Sequence, residues 1–172
     1  MNFREEIILS VTIPVTLRKP KIEDGGNVWR LIKNTEVLDL NSAYYYLILC
    51  KYFQNTCVVA ESDQRVVGFV SAFVHPDNPN VLFVWQVAID ESQKGKGIAS
   101  SLLEELINRE ECSNINIIEM TISPSNKASR GLFEKLAKKL ETKMIETEAI
   151  SPEIFPNENH ESEQTYQIGP FH

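Results

Sequence analysis

The chain has 172 residues, 42% of them hydrophobic, which suffices for the core of one domain. No run of eighteen apolar residues is present, so no membrane-spanning helix is expected, and the net charge of −7 speaks against nucleic acid, whose phosphates need a basic surface. Cys50, Cys57 and Cys112 are odd in number and form no CxxC pair, and His75, His160 and His172 lack ligand spacing. Reduced thiols, a cytoplasmic location and no metal site are therefore expected.

In chain order, residues 1–11 read as a loosely held leader without the basic-then-apolar layout of a signal peptide, since Arg4 is followed by Glu5 and Glu6. Residues 15–18 form a first strand that Pro20 ends. From Ile22 the positions of Val28, Trp29, Leu31 and Ile32 predict a helix of about three turns, with Gly25 and Gly26 near its start. Residues 39–42 break the pattern and offer N-cap side chains. The helix that follows, residues 43–54, is apolar nearly all round and should be covered on more than one side. Three strands in meander order are predicted over residues 56–61, 66–74 and 82–89, with turns at Asp63-Gln64 and over residues 75–79. A helix over 98–109 follows, then a strand over 117–122 and a helix over 128–140, both helices carrying one apolar stripe.

The segment Val84-Trp85-Gln86-Val87-Ala88-Ile89 leads through Asp90 and Glu91 into Gln93-Lys94-Gly95-Lys96-Gly97-Ile98-Ala99, which opens a helix. Glycines let the backbone approach an anion, and a helix N-terminus presents unpaired amides, so this turn can cradle a pyrophosphate. Lys94 and Lys96 place positive charge beside it. Neither GxGxxG nor GxxxxGK followed by Ser or Thr is present. A plain helix start with two glycines is the alternative.

KGKGIA after a strand ending in VAI resembles the acetyl-CoA pyrophosphate motif of the GNAT acetyltransferases, with Lys94 where Arg or Gln is usual. Ser123-Pro124-Ser125-Asn126-Lys127-Ala128-Ser129 resembles the second cofactor element of that family. The resemblance implies an α/β fold of the GNAT type, a mostly antiparallel mixed sheet splayed at the cofactor strand and flanked by helices. It implies acetyl-CoA as cosubstrate. Val87, Ala88 and Ile89 would run along the pantetheine arm, Lys94, Gly95, Lys96, Gly97, Ile98, Ala99 and Ser100 around the pyrophosphate, and Asn126 and Ser129 at the second element. Phe133 stands where many members carry the tyrosine that protonates the leaving thiolate, so the proton would come from elsewhere or from water.

A closer resemblance is spread over residues 39–46, Cys50, residues 56–60, residues 84–88 and the tail with His160, Glu161, Ser162 and Glu163. These segments look like the diaminobutyrate acetyltransferases of ectoine biosynthesis. That resemblance implies transfer of acetyl to the γ-amine of L-2,4-diaminobutyrate in a ternary complex, and a homodimer. A diamino acid carries two ammonium groups, so carboxylates and an aromatic wall suit it. Asp39, Glu161 and Glu163 are candidate ammonium partners, Tyr44 and Trp85 a candidate wall, and Asn41 and His160 further substrate contacts. Each also has an ordinary reading, Trp85 and Tyr44 as core and the acids as solvent-facing.

The amine must lose its proton before attack, so the base is expected to be His160 or a carboxylate, Glu161 foremost. The backbone amide of Val87 would meet the oxyanion. Arg18, Lys51 and Arg65 are open candidates for the substrate carboxylate. Acetylation of another small amine, a polyamine or a peptide, and a non-catalytic acyl-CoA-binding module, are the rival functions.

Overall fold

The computed structural model describes residues 14–156 and 159–171, so the leader expected over residues 1–11 lies outside the described residues. Strand β1 (Thr16–Arg18) leads into helix α1 (Gly25–Thr35), whose buried side chains Val28, Leu31 and Ile32 form one stripe. Gly25 is there because helix α2 (Ala43–Tyr52) passes against it: a Cβ at this position would lie 2.7 Å from Leu47 Cδ2 and 2.9 Å from Leu47 Cα. Glu36 ends α1 in the left-handed conformation (φ 56°), and Ser42 caps α2 by accepting from the Tyr45 amide at 3.2 Å. Helix α2 buries Tyr46, Leu49 and Cys50. Within this chain it is covered on one side, not several, for Tyr44 is 70% and Tyr52 65% exposed.

Strands β2 (Cys57–Ser62), β3 (Arg65–Val74) and β4 (Val81–Ile89) form the antiparallel meander. Asp63 and Gln64, both at positive φ, close the first hairpin in two residues, a geometry that matches strand twist. Helix α3 (Ile98–Ile107), strand β5 (Ile117–Ile122) and helix α4 (Lys127–Lys139) follow. Two strands that the periodicity left unassigned complete the sheet, β6 (Met144–Ile150) and β7 (Glu163–Ile168). The order is β1-β2-β3-β4-β5-β7-β6, with β4 and β5 parallel and every other pair antiparallel.

The sheet has a core on each face. Val58, Val70, Leu82, Ile118 and Met120 pack with Leu102, Leu106, Phe133 and Leu136 of α3 and α4. Cys57, Val59, Phe69 and Ala88 pack with Val28, Ile32, Tyr46 and Leu49 of α1 and α2. Burying these side chains is the main stabilising term, about 25 cal/mol per Å² of apolar surface removed from water.

Two irregularities create the site. Strand β4 pairs with β5 only over Val81–Val84 against Ile117–Met120; beyond that β5 continues along β7, through Thr121 and Ile122, and the two strands part. In the same place Ser71 faces Gln86 while Ala72 faces Val84, which leaves Trp85 as the extra residue of a β-bulge. The bulge reverses the faces of β4. Leu82 and Val84 point to the α3/α4 core before it, and Val87 and Ile89 do so after it, while Ala88 faces the α1/α2 core.

Candidate active site

Along the parted edge of β4 runs a channel of about 370 Å³, from Val87, Ala88 and Ile89 to Gly95, Gly97 and Ser100. Lys94, Ile98, Ala99, Asn126 and Ser129 also line it. The Gln86 amide donates to Ser71 Oγ (3.2 Å) and the Asp90 amide to the Val67 carbonyl, both on β3. Backbone amides alternate between the two edges of a strand, so those of Val87 and Ile89 point away from β3, into the gap. At the far end Gly95 and Gly97 hold φ of 75° and 79°, and a Cβ on either would meet nothing within 4 Å. That open cradle, below the free first-turn amides of α3, fits a pyrophosphate.

The lysines of this loop are turned onto the loop itself. Lys94 is ion-paired with Glu91, and Lys96 Nζ donates to Gln93 Oε1 at 3.0 Å without lining the channel. The anion site is therefore built from backbone amides, with Lys94 alone of the two at its wall. Asn126 caps α4 by accepting from the Ser129 amide at 3.0 Å.

A second cleft, of about 560 Å³, opens between the parted strands and shares Val87, Asn126 and Ser129 with the channel. Four ionisable side chains from two distant segments converge on it: Asp39, His160, Glu161 and Glu163. His160 stacks flat on Phe155, with centroids 3.6 Å apart and planes at 5°. Its Nδ1 lies 2.6 Å from the Glu161 carbonyl oxygen, which can only accept, so Nδ1 carries the hydrogen. Nε2 is then the nitrogen free to exchange a proton, and it faces Asp39 Oδ2 at 3.8 Å.

The two glutamates differ in setting. Glu161 is exposed and its Oε2 accepts from the Ser125 amide at 3.1 Å, tying the loop before α4 to the segment before β7. Glu163, the first residue of β7, is half-buried. Burial pushes its carboxyl above the ordinary range, and the nearby charges of Asp39 and Glu161 push the same way, against a hydrogen bond from Thr121 and the influence of His160.

Several expectations need correction. Tyr44 does not line the cleft; it stands in the exposed first turn of α2, and Trp85 provides the aromatic wall instead, 49% exposed. Asn41 is likewise off the cleft, and its amide donates to Tyr46 Oη at 3.3 Å. Arg18 is held by Asp24 (2.7 Å) and Glu61 (2.6 Å), Lys51 lies over the Tyr52 ring, and Arg65 opens onto a separate surface pocket. Among the described residues, no lysine or arginine lines the cleft. Phe133 is buried at the cleft floor. Cys50, Cys57 and Cys112 are buried, and desolvation pushes all three thiols up, Cys50 and Cys57 to about 12.

Three site residues were missed. Gln86 stood out only as a polar side chain in an apolar strand, a signal that could have been followed. Thr121 and Phe155 carried no local signal. Among the described residues, no group of three or more His, Cys, Asp and Glu is placed to hold a metal ion, and no helix is long and apolar enough to cross a membrane.

Comparison with known proteins agrees with this geometry. The acetyltransferase (GNAT) family profile matches residues 27–138. The chain is 51% identical over 158 residues to the L-2,4-diaminobutyric acid acetyltransferase of Halalkalibacterium halodurans, covering 92% of this chain and 83% of that one. It is 48% identical to the corresponding protein of Marinococcus halophilus, with 91% of each chain covered. Among solved structures, the diaminobutyrate acetyltransferase of Paenibacillus lautus, in complex with its substrate L-2,4-diaminobutyric acid and coenzyme A, superposes with a TM-score of 0.90 at 45% identity, covering 93% of this chain and 97% of that one.

Proposed function

The chain belongs to the GNAT acetyltransferase family, and from that premise we propose that it transfers the acetyl group of acetyl-CoA to the γ-amine of L-2,4-diaminobutyrate, giving Nγ-acetyl-L-2,4-diaminobutyrate in ectoine biosynthesis. The observation that carries this reading is the junction of two chambers at Val87, Asn126 and Ser129, one with a pyrophosphate cradle and the other lined by carboxylates. The relatives reported above, and the neighbour that holds this amino acid together with coenzyme A, support the choice of substrate.

The chemistry follows from the placement of the side chains. Asp39 and Glu161, both exposed at the cleft, attract the ammonium groups. An amine with a pKa near ~10 is protonated at neutral pH, and neutralising it costs about 4 kcal/mol. Glu163 takes that proton: it is the least hydrated carboxylate of the three, and burial has made it more basic. This moves the base from Glu161, whose carboxylate is committed to the Ser125 amide. His160, with Nε2 towards Asp39, orients the acid and holds the loop by its stack on Phe155.

The neutral nitrogen then attacks the thioester carbonyl, forming the N–C bond, and the C–S bond breaks as the tetrahedral oxyanion collapses. The Val87 amide, pointing into the gap, donates to that oxyanion. Phe133 has no proton to give the leaving thiolate. Ser129, one turn earlier on α4 and at the wall of both chambers, is the hydroxyl at the junction, and water entering the open cleft is the other source.

We also read the chain as one domain acting as a cytoplasmic homodimer. Three free buried cysteines suit a reducing compartment. The sheet face around Phe73, Phe83 and Trp85 forms an apolar groove of about 330 Å³, and Tyr44 and Tyr52 stand exposed on α2, a combination suited to a second copy. Light scattering giving the monomer mass would remove the dimer.

The function is tested by thiol release from acetyl-CoA with diaminobutyrate, ornithine, lysine, a polyamine and a short peptide, locating the acetyl group by NMR. Preference for diaminobutyrate with acetylation at the γ-nitrogen is expected. Equal turnover of the other amines would leave an acetyltransferase of different specificity, and no turnover would leave an acyl-CoA-binding module.

A further inference from the structure

Gln86 is 5% exposed in a strand that otherwise reads VLFVW-VAI, and every polar group of this residue for which a partner is seen points to the amine side of the site or its support. Its Nε2 donates to the Asp39 carbonyl at 2.8 Å. Its Oε1 accepts from Tyr46 Oη at 3.1 Å, and that fully buried hydroxyl accepts in turn from the Asn41 amide at 3.3 Å. The Gln86 amide itself donates to Ser71 Oγ, the bond that seats the strand beyond the bulge.

Gln86 thus holds the loop of residues 39–41 directly at Asp39 and through Tyr46 at Asn41. That grip matters because the Asp39 side chain is 93% exposed and has only the 3.8 Å approach of His160 to hold it. Its place in the cleft is set by its backbone. The residue after Gln86 is Val87, whose amide faces the reacting carbonyl in the mechanism above. We propose that Gln86 is a positioning residue that fixes the distance between the ammonium-binding Asp39 loop and the oxyanion donor. The inference rests on the acetyltransferase reading. Gln86 touches neither substrate in this scheme and acts through Asp39 and Val87.

The bulge explains how a glutamine comes to this position. Were Trp85 to take a regular place in the alternation, position 86 would fall on the α3/α4 face with Leu82 and Val84; with Trp85 bulged, the side chain enters the α1/α2 core beside Tyr46. An amide in an apolar core is costly unless all its hydrogen bonds are made, and here both ends are bonded across two elements. A glutamine serving the core alone would need no partner in the substrate loop.

The test uses the full-length protein with Gln86→Met, which keeps the volume and deletes both bonds, and Tyr46→Phe, which deletes only the hydroxyl. Gln86→Met is expected to raise KM for diaminobutyrate about tenfold, the effect of a buried bond of ordinary strength, and to leave KM for acetyl-CoA within about twofold. Tyr46→Phe should show the same selectivity with a smaller rise. The double variant should be worse than either single one but less than additive, because the Gln86–Tyr46 bond is lost in both while the Asp39 and Asn41 bonds are lost one in each. A purely structural role would lower the melting temperature of Gln86→Met and leave the amine KM unchanged, or raise both KM values alike; either outcome overturns the proposal. Should Gln86→Met not fold, the amine-to-cofactor KM ratio of Tyr46→Phe decides in the same way. If the wild-type protein acetylates no diaminobutyrate, both this inference and the function beneath it fall. If it does and the ratio stays fixed in the variants, this inference falls alone.

Discussion

Replacing Glu163 by Gln separates the base from every other role of the acidic cleft. The substitution keeps the shape and a hydrogen-bond acceptor for Thr121, and removes the carboxylate whose basicity burial has raised. In the variant only an amine that has already lost its proton can attack. With an amine pKa near ~10 that fraction is about one part in a thousand at pH 7, so the variant should be slower by about 10³, inside the range for loss of a general base. The deficit should shrink tenfold per pH unit, to about 10² at pH 8 and about 10 at pH 9, while the wild type stays level above the pKa of Glu163. Stability should move the opposite way. A carboxyl whose folded pKa lies above 4.5 binds more protons folded than unfolded, so it supports the fold at low pH and loses that support as pH rises through the folded value. Glu163→Gln should therefore melt higher than wild type at neutral pH and lose that advantage below about pH 4.5. Initial rates from about pH 6 to 9.5 read the first effect, and calorimetric melts from about pH 3 to 7.5 the second. A constant ratio of rates at all pH values would refute the assignment of Glu163 as base, and the same profile lost in Glu161→Gln would return it to Glu161.

Gly97→Ala places a side chain at φ 79°, a strain of about 1–2 kcal/mol, and should lower the melting temperature by about 2–8 °C. Because the new methyl fills the cradle, KM for acetyl-CoA should rise and KM for the amine should not; steady-state kinetics with each substrate varied checks this. Among the described residues, no lysine or arginine lines the cleft to bind the substrate carboxylate. 1,3-Diaminopropane, which lacks that carboxylate, should accordingly be acetylated with kcat/KM within about tenfold of diaminobutyrate; failure would place a carboxylate-binding cation outside the described cleft. Arg109 donates through Nη1 to the carbonyls of Gln54, Asn55 and Cys57 at 3.1, 3.1 and 2.7 Å, far from both chambers. Arg109→Met should cost about 3 kcal/mol, a fall of about 6–12 °C in melting temperature, with both KM values retained.

The cofactor half was legible because its parts are contiguous in sequence. The residues from Val87 to Ser100 lie on one strand, one turn and one helix start, and positive φ at Gly95 and Gly97 is what an anion cradle requires. The amine half was not, because its parts come from residues 39, 85–87, 121 and 160–163 and meet only through the sheet. Resemblance named Asp39, Trp85 and the tail acids, and it put Glu161 ahead of Glu163 as the base. Two residues apart, they differ in burial and in whether a backbone amide has claimed the carboxylate, the first set by the place of Glu163 at the start of β7 and the second by the loop before α4. Strands β6 and β7 escaped the periodicity for a related reason. In β6 every residue from Ile145 to Ile150 is exposed, while β7 reads EQTYQI, so neither shows the apolar alternation that marked β2 to β5.

The strand over 82–89 was read correctly as a strand and could still not reveal its faces, since an alternation that slips by one residue looks much like one that does not. That slip is where the chemistry sits. Paired parallel strands lie about 4.8 Å apart, too close for a thioester and an amine to pass between them. Bulging at Trp85 adds local twist where the β4–β5 ladder ends, one residue after Val84 and Met120, so the strands separate instead of continuing. The same extra residue sends the Trp85 ring to the cleft wall and the Gln86 amide into the α2 core, and Val87 follows with its N–H in the gap. Removing Trp85 from the chain altogether would give strict alternation from Leu82 to Ile89 with Gln86, Val87 and Ala88 still on their present faces, and would take away only the ring and the extra twist that the bulge adds at the end of the β4–β5 ladder. Such a deletion should lower acetyl transfer far beyond the effect of Trp85→Ala, which takes away the ring and keeps the bulge; equal losses in the two would mean that the ring, and not the bulge that parts the strands, is what the site requires.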